Sequence, residues 1–197
     1  MHKKFVIDGL SANDIGCFGL TEIGHGSDTK NVETEAHYNH ETKTFVLNTP
    51  TETGLKFWIG GSAETANMAL IWAQLLIKGK KYGVHPFVVP IRDKKTMMLY
   101  KGVKIGDCGS KIGLQSIDNG YIGFDHYSIP AENLLDRISG VDEKGEFRAV
   151  EPSLDKRHGL YMGSLSLGRA FITLNAVSSC INSLLIGIKY SCVRRQF

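Results

Sequence analysis

Several chemistries are poorly represented in this chain of 197 residues. Its four cysteines form no CxxC pair, and its seven histidines lie outside HExxH or a similar ligand spacing, so no metal site is expected. No run of about 18 apolar residues is present, so no membrane span is expected. Residues 1–10 lack the longer apolar core of a signal peptide.

The excess of one sign of charge over the other is also small. The chain has 23 basic and 20 acidic residues, for a net charge of +3. This small excess suits an anionic small ligand but does not by itself support nucleic-acid binding. The four cysteines are Cys17, Cys108, Cys180 and Cys192. Their spacing favours four buried or half-buried thiols in a reducing compartment.

What is present is typical of a soluble globular protein, with 42% apolar and 22% charged residues. Up to about residue 150, short apolar runs alternate with turn-forming residues. Residues 34–38 and 44–48 flank a polar stretch and predict a hairpin. Residues 68–77, 84–91 and 121–126 predict further strands, the last after the turn signal Asp118-Asn119-Gly120. So many short strands predict an antiparallel β-barrel or sandwich.

The pattern changes after residue 150. Residues 135–151 are polar and predict an exposed connection with a small hairpin around Glu143–Gly145. From Leu154 apolar residues recur every three or four positions to the chain end, which predicts one long helix. Such a helix needs other helices to pack against, and the chain supplies none. The fold class is therefore mainly β plus α: a β-domain at 1–150, and at 151–197 the first helix of an incomplete helical bundle.

The first chemically informative segment is Ile15–Thr29, IGCFGLTEIGHGSDT. Gly24, Gly26 and the small Ser27 let the backbone approach a ligand closely, and hydroxyls and backbone amides can bind a polar ring or carbonyl. The segment is neither a Walker A loop nor a GxGxxG helix start. A simple surface turn remains an alternative for this motif alone.

The second segment is Lys56–Asn67, KFWIGGSAETAN. Trp58 is able to stack against or wall off a flat ring, and the glycines at 60 and 61 leave space beside it. The alternative is a core tryptophan followed by a turn.

Together these motifs resemble the acyl-CoA oxidase branch of the acyl-CoA dehydrogenase superfamily. The resemblance extends over essentially the whole chain, including AQLLIKGKKYGVHPFVVPIRD, GVKIGDCGSKIGLQSIDNGYIGFDHYSIPAENLL and YSCVRRQF. It implies a peroxisomal FAD enzyme, a homodimer formed through its helical domain. Such an enzyme oxidises a fatty acyl-CoA to the trans-2-enoyl-CoA and passes the electrons to dioxygen, giving hydrogen peroxide.

The resemblance also implies roles for individual residues. Thr21 matches a threonine that hydrogen-bonds the flavin, Gly60 matches a flavin neighbour, and Trp58 lies in the region that walls the flavin. Ser27 matches a loop residue near the acyl-CoA thioester, and Arg169 matches an arginine near the acyl-CoA. The C-terminal residues match a segment that reaches the FAD pyrophosphate of the partner subunit, for which a planar guanidinium is suited. They are Arg194, Gln196 and Phe197.

Two departures favour an oxidase over a dehydrogenase. Dehydrogenases of the superfamily usually have GAGSD and Trp-Ile-Thr-Asn-Gly at these places, whereas this chain has His25 in the loop and Gly60 where a threonine stands. Loss of a β-branched side chain beside the flavin opens space for dioxygen. His25 is interpreted as a residue that shapes the loop, with a general acid–base role as the alternative.

No residue matches the family's catalytic base, a glutamate of the later C-terminal helical domain. The resemblance therefore implies a fragment, a truncated product or one part of a split protein, and the isolated chain is expected to be inactive. Two alternatives stay open. One is a dehydrogenase that passes electrons to a protein acceptor, and the other is a non-catalytic structural or assembly subunit.

Overall fold

The computed structural model describes residues 3–197, with side chains from Phe5 onward. Eleven strands and three α-helices follow one another along this part of the chain. The helices are α1 (Lys3–Leu10), α2 (Leu154–Met162) and α3 (Ser166–Val193). The strands are β1 (Gly16–Gly19), β2 (Glu35–Asn39), β3 (Thr44–Asn48), β4 (Lys56–Gly60), β5 (Met68–Ile77), β6 (Lys80–Pro90), β7 (Val103–Asp107), β8 (Asn119–Phe124), β9 (Tyr127–Pro130), β10 (Ser139–Val141) and β11 (Phe147–Ala149). The described part of the chain comprises two compact units, which divide between Arg157 and His158.

The first unit is built around β5. Strands β1 and β2 run parallel to successive parts of β5, and β6 pairs with it in antiparallel fashion. Strands β3 and β9 continue this sheet beyond β2. A second sheet has the order β4-β8-β7, and β10 pairs with β11. The predicted β-rich fold class is confirmed, but its main sheet is mixed, because β1 and β2 pair parallel to β5.

The core lies against β5, which is buried from Ile71 to Ile77. Phe45 on β3 and Phe87 on β6 are fully buried and pack edge to face, with ring centroids 5.0 Å apart. A near-continuous apolar run such as 68–77 is what a strand covered on both faces requires. The two predicted hairpins, at 34–48 and around Glu143–Gly145, are both present.

The turn predicted at Asp118-Asn119-Gly120 is wrong. Asn119 and Gly120 begin β8, where Gly120 lies opposite Ile59 of β4. A Cβ atom at Gly120 would lie 2.5 Å from Ser62 Oγ and 2.8 Å from the Ala63 amide nitrogen. The glycine is needed for a close approach of two chain segments rather than for a reversal of direction.

The helix predicted to begin at Leu154 is present, and most of it lies in the second unit. A 3₁₀ turn at Gly163–Leu165 separates α2 from α3, and the helix ends at Val193, where Arg194 becomes extended. The prediction that helix continues to Phe197 is therefore wrong by four residues. Cys180 and Cys192 are exposed on α3 rather than buried or half-buried.

The helical segment Leu154–Val193 is long and apolar enough to cross a membrane by length and composition, and its most apolar window is not buried within the structure. Serine, asparagine and glycine are interspersed along this segment, so it contains no continuous apolar run. The lack of such a run, from which no membrane span was expected, therefore does not by itself exclude one.

His85 on β6 gives the fold a pH dependence. Its Nδ1–H donates to the Gly83 carbonyl at 2.8 Å, and its Nε2 accepts from the Ser139 hydroxyl at 2.7 Å. Burial lowers the pKa of this imidazole from 6.5 to about 4. The folded state therefore holds His85 neutral while the unfolded chain binds a proton, so the stabilisation is complete above pH 6.5 and is lost as the pH falls towards 4.

We expect this side chain to account for about 3 kcal/mol of the stability lost between pH 7.5 and 4.5. Urea unfolding of the chain at both pH values should show that His85→Gln depends less on pH than the wild type. The exposed His37→Gln serves as the control for general effects of acid. Equal pH dependence in the wild type and His85→Gln would contradict this assignment.

Candidate functional site

The glycine-rich loop after β1 is anchored by a buried carboxylate. Glu22 is 1% exposed. Its Oε1 accepts from the Thr34 amide at 3.0 Å and the Thr34 hydroxyl at 2.7 Å, and its Oε2 accepts from the Glu33 amide at 2.6 Å. These bonds fix the first residues of the loop to the start of β2, so the neighbouring Thr21 has a defined position.

The same carboxylate is paired with a buried lysine. Lys56 of β4 is fully buried, and its Nζ donates to Glu22 Oε1 at 2.8 Å and to the Trp72 carbonyl at 2.6 Å. Burial lowers the pKa of Lys56 to about 8, although the charge of Glu22 acts in the opposite direction. The pair joins the loop, β4 and β5 at one point. Sequence reasoning missed this pair; the available signal was one charged residue in each motif, Glu22 within the first and Lys56 at the start of the second.

His25 completes the anchoring of the loop. Its Nδ1 lies 3.2 Å from Glu22 Oε2 and 3.7 Å from Glu33 Oε1, and its side chain is partly buried. Glu33 in turn accepts from the Thr51 and Thr53 hydroxyls, which lowers the pKa of its carboxyl group. These contacts favour the interpretation of His25 as a loop-shaping residue, because both of its carboxylate neighbours are already engaged in structural hydrogen bonds.

Trp58 lies at an irregularity of β4. The pairing register of β4 with β8 shifts between Lys56 and Ile59, as at a β-bulge. The backbone of Trp58 has a φ of 62°, which is left-handed, and its side chain is 47% exposed. A bulky residue in this conformation costs roughly 1–3 kcal/mol and is found mainly where function requires it. Bulges also redirect side chains beside active sites.

The two predicted motifs meet at this irregularity. The Phe57 amide donates to the Thr21 carbonyl at 3.0 Å, so the loop and the tryptophan segment are adjacent. Thr21 is exposed, and its hydroxyl makes no hydrogen bond with a described residue. Gly60 is exposed too, and a Cβ built on it meets no atom within 4 Å. An exposed indole, open space at Gly60 and an available hydroxyl are suited to contact with a flat, polar ring system such as a flavin.

Three side chains beyond the predicted set support this end of the second sheet. Asp118 accepts from the amides of residues 63–65 and thereby fixes the turn after β4. Lys111, in the connection between β7 and β8, is 8% exposed and donates to Asn119 Oδ1 at 3.0 Å. Its Nζ lies 5.8 Å from the centroid of the Trp58 ring. Asn119 itself pairs with Gly60 across β4 and β8.

The remaining predicted residues are not brought into this cluster. Ser27 is exposed in the loop. Arg169 is exposed on α3 and makes no ion pair with any described residue. Arg194 donates to the Tyr190 hydroxyl one turn earlier in the second unit. Gln196 and Phe197 follow in extended, exposed chain. The roles of these residues stay predictions.

Known proteins match the chain along nearly its whole length. The sequence profile described as "Acyl-CoA dehydrogenase, middle domain" matches residues 17–127. Acyl-coenzyme A oxidase 3, peroxisomal, of Arabidopsis thaliana is 42% identical over 182 residues, which are 92% of this chain and 27% of that protein. The chain thus spans about a quarter of that relative's length.

Solved structures agree with the sequence comparison. Arabidopsis thaliana acyl-CoA oxidase 1 superposes on all of this chain with a TM-score of 0.88 at 35% identity, over 30% of its own length. Acyl-CoA oxidase-2 of Caenorhabditis elegans, bound with FAD, ascaroside-CoA and ATP, also covers all of this chain, at 36% identity and a TM-score of 0.84, over 29% of its length. The chain belongs to the acyl-CoA dehydrogenase middle-domain family, and the relatives that it resembles are acyl-CoA oxidases.

Proposed function

We propose that this chain is part of an FAD-dependent acyl-CoA oxidase, which converts a fatty acyl-CoA to the trans-2-enoyl-CoA and passes the electrons to dioxygen. The observation that supports this best is the strained, exposed Trp58 beside Thr21 and the open position at Gly60, in a chain 42% identical to a plant acyl-CoA oxidase. In such an enzyme residues 1–150 form the middle β-domain, and residues 151–197 begin the C-terminal helical domain.

The residues present fit a flavin. Thr21 offers a free hydroxyl and Trp58 a flat apolar wall, while Gly60 leaves room beside them. A bound FAD would supply the acceptor for the hydride that leaves the β-carbon of the substrate. The chain's own part is to orient and shield that ring, and the Glu22–Lys56 pair keeps the loop in place. In the second unit Arg194, Gln196 and Phe197 are proposed to reach the FAD pyrophosphate of the partner subunit in a homodimer.

Two residues are proposed to contact the acyl-CoA. Ser27 is a small, exposed hydroxyl on the glycine-rich loop, which suits a position near the thioester. Arg169 is an exposed cation with no carboxylate partner among the described residues, which suits an anionic substrate. No residue of the chain matches the glutamate that takes the α-proton, so the proposed activity belongs to a longer protein.

The exposed apolar residues of α3 are proposed to pack against further helices rather than lipid. Arg169, Asn175, Asn182 and Lys189 are distributed along the helix, and polar residues in these numbers are costly in hydrocarbon. For localisation we propose the peroxisome, since similar relatives carry that word in their names.

Substitution of Gly60 distinguishes an oxidase from a dehydrogenase. In the full-length protein, Gly60→Thr should slow reoxidation of the flavin by dioxygen more than its reduction by acyl-CoA, because the new side chain occupies space that the structure leaves open. Stopped-flow absorbance measures both half-reactions, and Gly60→Ala is the smaller matched variant. Equal slowing of both half-reactions would contradict the oxygen-access argument.

A non-catalytic assembly role is the remaining alternative. It is tested by the flavin content of purified full-length protein, read from the flavin absorbance bands. Protein that contains flavin but forms no peroxide with acyl-CoA would instead favour a dehydrogenase that uses a protein acceptor.

A further inference from the structure

Lys111 is buried and makes no ion pair with a carboxylate in the described part of the chain. It is 8% exposed, and its ammonium donates to the Ile117 carbonyl and to Asn119 Oδ1. Among the described residues no carboxylate lies within ion-pair distance of it. The carboxylate of the adjacent Asp118 is used by backbone amides of residues 63–65. A buried ammonium with neutral acceptors alone is costly, and buried charges are normally paired.

Lys56, which is fully buried, shows the contrast. Lys56 has Glu22 at 2.8 Å, and both side chains have no exposed surface. Lys56 is thus paired with a carboxylate within the chain, whereas Lys111 has no such partner among the described residues. A methionine would fill similar space without the cost of burying an unpaired ammonium. The lysine therefore points to an electronegative group that the described residues do not supply.

The position of Lys111 indicates what that group is. Its Nζ lies 5.8 Å from the Trp58 ring centroid, within the range of a cation–π contact. Its acceptor Asn119 pairs with Gly60. The Lys111 ammonium therefore contacts Trp58 and also Asn119, which pairs with Gly60. Trp58 and Gly60 are the two positions proposed to border the flavin. The left-handed backbone of Trp58 also needs such support from its surroundings.

We propose that Lys111 is a positioning residue of the flavin site, which holds the Trp58 indole and supplies a fixed positive charge that favours the reduced, negatively charged flavin. This inference rests on the proposed function. Two-electron reduction with uptake of one proton leaves one net negative charge on the flavin ring, and the two electrons come from the acyl-CoA. A fixed cation nearby stabilises that charge relative to the neutral oxidised ring.

The first test needs no flavin. In the 197-residue chain, the difference between its emission spectrum and that of Trp58→Phe isolates the Trp58 fluorescence from that of the buried Trp72. Lys111→Met should shift this emission, and Lys111→Arg should retain it. Lys104→Met is the matched control, because Lys104 is 67% exposed on β7 and lies near Asp125. An unchanged Trp58 emission in Lys111→Met would overturn the positioning role.

The second test is the midpoint potential of FAD in the full-length protein. Lys111→Met should lower it, with each tenfold shift towards oxidised flavin equal to about 30 mV. Lys111→Arg should stay near the wild type, as should Lys104→Met. Lys111→Gln, which keeps hydrogen-bonding capacity without charge, replaces Lys111→Met if the latter does not fold. If the potential of Lys111→Met equals that of the wild type while both contain a full complement of FAD, the charge role alone is overturned. If the wild-type full-length protein contains no FAD, the proposed function itself is overturned.

Discussion

Replacement of Glu22 by alanine is expected to lower the free energy of unfolding of the chain by about 3–5 kcal/mol. The variant leaves the Lys56 ammonium fully buried without its counter-charge and removes the acceptor of the Thr34 and Glu33 amides. Both losses destabilise the folded state, because a buried donor or charge that loses its partner gains no compensating hydration. Urea unfolding followed by tryptophan fluorescence, at low protein concentration, measures the change.

Two companion variants separate charge from structure. The double variant Glu22→Gln/Lys56→Met removes both charges and should recover part of the stability lost in Glu22→Ala, since replacing a whole buried pair is far less costly than breaking it. Lys78→Met is the control. Lys78 and Glu146 form an ion pair with side chains 61% and 55% exposed, so loss of this pair should change the stability far less than loss of the buried pair. A cost for Glu22→Ala as small as this control would show that the buried pair does not anchor the loop.

The second large effect concerns association. We expect the isolated chain to self-associate, to bind FAD weakly or not at all, and to show no turnover. Large apolar side chains of α3 are more than half exposed, and a continuous apolar surface of this kind normally marks an interface. Examples are Leu167, Phe171, Leu174, Ile181 and Leu184.

Sedimentation of the chain, with and without FAD, measures this association. Replacing Leu174 and Ile181 by serine should reduce self-association without a change in the β-rich unit, because both side chains are exposed on the helix. A monomer that binds FAD tightly and oxidises acyl-CoA would show that the remaining parts of the family fold are dispensable.

The elements of the fold were largely accessible from the sequence. The hairpin of β2 and β3, the buried strand β5 and the long helix each follow from local periodicity, which reports the surface that a segment buries. The parallel pairing of β1 and β2 with β5 was not accessible, since it depends on which distant segments share an edge. Asn119-Gly120 was wrongly predicted as a turn for a similar reason. The glycine is required by its close approach to Ser62 and Ala63, which are far away in sequence.

The candidate site divides in the same way. The composition of two short segments indicated a glycine-rich loop with hydroxyls and a tryptophan–glycine segment, and the resemblance to acyl-CoA oxidases implied the roles of Thr21, Trp58 and Gly60. Only the tertiary structure brings Thr21 next to Phe57 and gives Trp58 its left-handed backbone within an irregular strand pairing. Charged residues were the least predictable. The sequence alone does not show that Lys56 pairs with Glu22, whereas Lys111 is buried with no carboxylate partner among the described residues. Whether a buried charge is paired depends on residues that folding brings together, and Lys56 and Glu22 are 34 positions apart.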